Sequence, residues 1–156
     1  MTIGDDDTVT ASSASGKQLI VLSESVTQAG IGTKFTSVAV PLISAEPFLY
    51  DELGMTGTGT NQGGTSGATE TQVAVTAAGV QSSLGAGLSA GNATIASSGV
   101  DLSWGKPAAT ATVAATIASD ATKATLFGYR TGAAMVTGTA PAPRVGWTHY
   151  TGSPTP

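Results

Sequence analysis

Between Lys17 and Gly54 the apolar spacing of the chain changes several times. The segment KQLIVLSES carries Leu19, Ile20, Val21 and Leu22 in succession, as a parallel strand covered on both faces would. Ile31, Phe35 and Val38 then recur at i, i+4 and i+7, a helical stripe weakened by Gly30 and Gly32. Pro41 opens a second apolar run through Leu42 and Ile43. Pro47 stands at a favourable first helical position, Leu49 and Leu53 follow at helical spacing, and Gly54 falls where a left-handed residue ends a helix. This order predicts a βαβα unit with two parallel strands side by side and helices on the faces of the sheet.

Outside that unit the pattern is richer in strands. Ile3 and Val9 suggest a short edge strand within residues 2–10, followed by a polar connection over 11–16. GMTGTGTNQGGTSG, residues 54–67, reads as a flexible Gly/Thr-rich loop. TQVAVT alternates as a strand, VQSSLGAGL allows one or two helical turns, and ATIASSGVDLSW reads as strand, turn, strand. ATVAATIAS and KATLFGYRTGAAMV pair around Ser119 and Asp120, RVGWTHY forms a last strand, and 151–156 is a tail. The expected fold is a single α/β domain over 1–156. Its sheet is mainly parallel and flanked by short helices, with a strand-rich C-terminal half that adds antiparallel edge strands.

Composition narrows the functional classes. Charged residues make up 10% of the chain, against about 25% in an average soluble domain. The surface must therefore be covered by Thr, Ser, Asn, Gln and small residues, which suits an exported protein, a cell surface or a virion shell. With a net charge of −4 and Lys and Arg scattered singly, there is no basic stripe for nucleic acid. No apolar run reaches the roughly 20 residues of a membrane span, and MTIGDDD has neither the basic nor the apolar region of a signal peptide. An export signal would have to lie outside this chain. The lack of cysteine excludes disulfides, thiolate metal sites and a cysteine nucleophile.

Candidate chemistry is sparse. Asp5, Asp6 and Asp7 invite a cation, but the spacing is not that of an EF-hand and reads as a solvated turn. Ser23, Glu24 and Ser25 end the first strand of the unit and Glu46 ends the second; ligands bind at such carboxyl ends in open α/β sheets. The alternative role for these serines is helix capping. The glycines of 54–67 match neither a dinucleotide fingerprint nor a phosphate loop with its lysine. Gly87-Leu88-Ser89-Ala90-Gly91 fits G-x-S-x-G, yet a weak helical turn precedes it and a strand follows, the reverse of a nucleophile elbow. Trp147 and His149 fall on one face of the last strand, with Tyr150 on the other, and offer a small aromatic patch for a glycan. Trp104 reads as packing, and Asn92-Ala93-Thr94 as a glycosylation sequon.

Taken in order, KQLIVLSESV, GTKFTSVAVPLISAEPFLYDELGMTG, VQSSLGAGLSAG, SWGKPAATATVAATIASDATKATLFGYRTGAAMV and APAPRVGW resemble a domain of large secreted bacterial proteins with the class I glutamine amidotransferase-like fold. The resemblance implies a flavodoxin-like parallel sheet flanked by helices. Activity does not carry over, because the family's nucleophilic Cys has no counterpart here. The resemblance also implies that a strand and helix before the match and a helix after it are missing, which would leave an apolar face or an open edge. The resulting expectation is a non-catalytic structural or interaction protein outside the cytosol, without cofactor or bound metal. It would pack against other chains, or copies of itself, as a module of a secreted protein or as a phage capsid decoration component. A carbohydrate-binding module is the alternative and a serine hydrolase the third reading. The surface in view comprises Ser23, Glu24, Glu46, Trp147 and His149.

Overall fold

A computed structural model describes residues 2–67, 69–148 and, for the backbone alone, 150–151. The strands are β1 (Ile20–Leu22), β2 (Leu42–Ser44), β3 (Gly63–Thr65), β4 (Gln72–Val75), β5 (Gly91–Thr94), β6 (Asp101–Gly105), β7 (Thr112–Ile117), β8 (Asp120–Tyr129), β9 (Arg144–Trp147) and β10 (Tyr150–Thr151). Among the described residues helix is limited to α1 (Gln28–Ile31), α2 (Ala77–Val80) and three 3-10 turns at Ala11–Ala14, Pro47–Leu49 and Ser83–Gly85. The main sheet runs β1-β2-β9-β8-β7-β4-β5. Pairing is parallel only between β1 and β2 and between β2 and β9. The other ladders are antiparallel.

The long strand β8 is the hub. A tight hairpin joins it to β7, with Ile117 opposite Asp120, as the sequence pattern predicted. Its Leu126–Tyr129 portion pairs with β9, while Ala124 pairs with Gly105 of β6, so the sheet forks along one edge of β8. β6 then carries β3 and β10.

On the inner face, Leu22, Leu42, Phe127 and Tyr129 pack with Ile31, Phe35, Leu49, Tyr50, Leu53 and Met55 into the main core. Edge-to-face contacts link Tyr50 to Phe127 at 5.3 Å and Phe127 to Tyr129 at 6.4 Å. Gly146 is required beneath this ladder, since a Cβ there would lie 2.5 Å from the Phe127 ring. A second core gathers Val73, Val100, Leu102, Trp104, Ala115 and Ile117. Arg144 is fully buried in β9. Its guanidinium donates to the carbonyls of Val38 at 2.6 Å, Val40 at 2.9 Å and Phe35 at 3.3 Å, clamping the β1–β2 connection to the neighbouring strand.

The expected mainly parallel α/β sheet with flanking helices is therefore incorrect: the sheet is mostly antiparallel and its helices are single turns. The β1–β2 pair does run parallel as predicted, but the segments between and after these strands do not become full helices. After α1 the connection continues as turns, consistent with the helix-weakening Gly30 and Gly32. PFLYDEL makes a 3-10 turn and then tight turns, and it buries Leu49, Tyr50 and Leu53 in this form. Residues 2–10 form no strand; Thr8 and Val9 donate to the Asp5 carbonyl in a turn. Nor is 54–67 a free loop, since β3 pairs with β6 and its Gly64 packs on Trp104.

Candidate functional site

The carboxyl ends of β1, β2 and β9 lie together, because Leu22, Ser44 and Gly146 share one register row. This places Ser23 and Glu24, Glu46, and Trp147 at the same end of the parallel trio, as the β-strand rule anticipates. The local chemistry there is mostly self-contained. Ser23 and Ser25 share a hydroxyl–hydroxyl bond of 3.0 Å, and the Ser25 amide donates to the Ser23 hydroxyl. Neither serine caps α1; that cap is the Thr27 hydroxyl, which accepts from the Gly30 amide at 2.9 Å. Glu46 is buried and caps its own 3-10 turn, accepting from the Phe48 amide at 2.9 Å. Burial pushes its carboxyl above the ordinary range, the Phe48 amide pulls it partly back, and the charge of Glu24 pushes it up again. The Tyr50 hydroxyl donates to the Trp147 carbonyl at 3.0 Å, and burial holds its proton firmly on.

More of the exposed chemistry lies on the outer face of the same strands. Register aligns Val21, Ile43 and Val145 in one row, which continues to Gly128 of β8. Val21 is 65% exposed, and Trp147, two residues along from Val145 on the same face, is 53% exposed. Trp147 stands opposite Leu126, which lines a cleft of about 130 Å³ together with Val73, Val75, Leu84, Leu88 and Ile95. Leu88 and Ile95 are themselves exposed at the rim. An apolar band thus crosses from the β1 edge to this cleft. Sequence pattern missed it because four consecutive apolar residues read alike whether a strand is covered on both faces or on one.

The remaining candidates resolve differently. The carboxylates of Asp5, Asp6 and Asp7 come within 4.8 Å of one another, but Asp6 is committed to α1, accepting from the Thr27 amide at 2.6 Å and hydroxyl at 2.9 Å. Those bonds hold its carboxyl below the usual value. Ser89 lies exposed between the Ser83–Gly85 turn and β5, so no strand-to-helix elbow presents its hydroxyl. Trp104 is buried in the second core under Lys123, whose ammonium sits 4.8 Å from the ring centre. Asn92 and Thr94 are exposed on the β5 edge. His149 and the side chain of Tyr150 lie outside the described residues, so the aromatic patch is represented by Trp147 alone. Among the described residues no helix is long and apolar enough to cross a membrane.

No protein family, curated protein or solved structure matches this chain. Nothing therefore identifies an amidotransferase-like domain, and the mostly antiparallel sheet differs from the parallel one that this resemblance implies.

Proposed function

We propose that this protein is a non-catalytic structural or interaction module that works outside the cytosol, packing the bare outer face of its parallel strands against another protein chain. A secreted multidomain protein or the outer layer of a phage capsid is the setting that its scarcity of charge suits. The observation that carries the reading is the Val21, Ile43, Val145 row with Trp147 beside it, uncharged side chains on a face that no helix crosses among the described residues. An apolar partner face would bury Trp147 as an anchor, the residue type that dominates such contacts.

The native assembly provides the test. Val145→Ser with Trp147→Ser should lower the unfolding free energy by no more than about 2 kcal/mol, since Trp147 is exposed and Val145 half-buried, and yet release the chain from its assembly as measured by light scattering. Incorporation that survives both substitutions overturns the reading. Glycan-array binding that disappears on Trp147→Ala would place the chain among carbohydrate-binding modules instead.

A further inference from the structure

The apolar row ends at Val21, and nothing among the described residues continues it. In β1 the Ile20 amide donates to the Pro41 carbonyl, and the Leu22 carbonyl accepts from the Ala45 amide. Parallel pairing turns both backbone groups of a residue to the same neighbour and those of the next residue away. The N–H and C=O of Val21 consequently point off the sheet, where no group among the described residues meets them. Leu19 and Val21 flank this free edge, 48% and 65% exposed. The opposite edge is built otherwise. On β5, exposed Asn92 and Thr94 join Gln72 in a polar side-chain ladder, a solvated edge of the kind that discourages pairing.

We propose that β1 pairs antiparallel with β1 of a second copy about a two-fold axis through Val21, so that two molecules share one sheet. Three features select a second copy in this orientation. Val21 meets Val21 of the second copy and can exchange both backbone hydrogen bonds with it, satisfying the unpaired groups of both molecules at once. Only antiparallel pairing allows this exchange, because in a parallel pair a residue bonds to the two neighbours of the residue opposite it and not to that residue itself. The contact is isologous and closes at two copies. The inference concerns the edge and stands independently of the packing proposed for the face. Its consequence for that face is to join two Val145–Ile43–Val21 rows into one band.

Sedimentation equilibrium of the whole chain tests it. Wild type should self-associate to a dimer. Val21→Pro removes an amide hydrogen that serves no bond within the molecule, at an edge position where proline is tolerated. It should weaken the dimer about tenfold or more, as the loss of the paired backbone bonds requires. Val21→Lys keeps the backbone intact, should weaken it as strongly, and decides the matter if the proline variant does not fold. Asn92→Lys on the opposite edge and Trp147→Ser on the face should leave it unchanged. A wild type that stays monomeric at roughly 0.1 mM, a dimer that survives Val21→Lys, or one abolished by Trp147→Ser overturns the proposal.

Discussion

Over β7 and β8 the outer face of the sheet is covered by α2 and the Ser83–Gly85 turn, whereas over β1, β2 and β9 the same face meets solvent. The difference lies in where the connections run and how closely they approach. Gly79 of α2 sits so near β7 that a Cβ would fall 2.3 Å from the Ala114 carbonyl, and the turn after α2 lays Leu84 over Gly128. On the parallel side the connections place Ile31, Phe35, Leu49 and Leu53 in the inner core. Parallel sheets are ordinarily buried on both faces by helices wound to either side. Here the segments that directly follow β1 and β2 both fall on the inner side, and the outer face of these strands is left apolar, with Val21 and Trp147 exposed. The winding of these segments leaves that face without helical cover among the described residues.

The largest effect that sharpens this contrast is expected at Arg144. Its guanidinium holds the carbonyls of Phe35, Val38 and Val40 with no carboxylate in contact among the described residues, so there it fastens the crossover to the inner side by hydrogen bonds. Arg144→Ala takes this donor from the half-buried carbonyls of Val38 and Val40, the Phe35 carbonyl keeping the Val38 amide, and leaves a cavity where a fully buried side chain stood, so the unfolding free energy should fall by about 3 kcal/mol or more in urea titrations. Protection from hydrogen exchange should be lost first over residues 33–44. A loss below about 1 kcal/mol would mean that apolar packing, not this clamp, sets the side on which the connection runs.

Next in size is Gly79→Ala, which acts on the covered half. Alanine favours a helix over glycine by up to about 1 kcal/mol, but the atom it would strike is the backbone of Ala114, which cannot swing aside. The net result should be a loss of about 2 kcal/mol, and dye binding to exposed apolar surface should rise as α2 lifts from β7. A variant as stable as wild type would show that the cover is loosely held and that the two halves differ less than the geometry implies.

Legibility in the sequence divides along the same line. The β7–β8 hairpin is local, with a short turn between alternating runs, and its pattern is sufficient to find it. The β1–β2 pair is also legible, because each strand is an uninterrupted apolar run bounded by polar residues. The segments after these two strands are not. Short apolar spacings such as Ile31, Phe35 and Val38 fit a helix and a series of buried turns equally well, and tertiary burial rather than propensity decides between the two. The pairing of β9 with both β2 and β8 joins segments about 100 residues apart in the first case, and local pattern carries no information about it. At the candidate surface, Trp147 and the convergence of Ser23, Glu24 and Glu46 are anticipated from strand ends. The exposure of Val21 and the cleft at Leu88 and Ile95 depend on which face the connections cover.

The smallest expected effect tests whether the carboxyl ends of the parallel strands form a site or only a cap. Glu46 is buried, and its carboxyl titrates above the ordinary range because desolvation and the charge of Glu24 both disfavour ionisation, against the single amide of Phe48 that favours it. The folded chain therefore holds this proton more tightly than the unfolded chain. At acid pH the group is neutral in both states and has no effect. As pH rises through the unfolded carboxylate range and on to the folded value, the unfolded state ionises first and stability is lost. Glu46→Gln keeps an oxygen to accept from Phe48 and removes the charge. It should raise Tm at neutral pH by no more than about 2 °C, and the gain should vanish in acid. The opposite sign, a variant less stable at neutral pH, would mean that the negative charge itself is used at this end of the sheet, and the parallel half would then differ from the antiparallel half in chemistry as well as in cover.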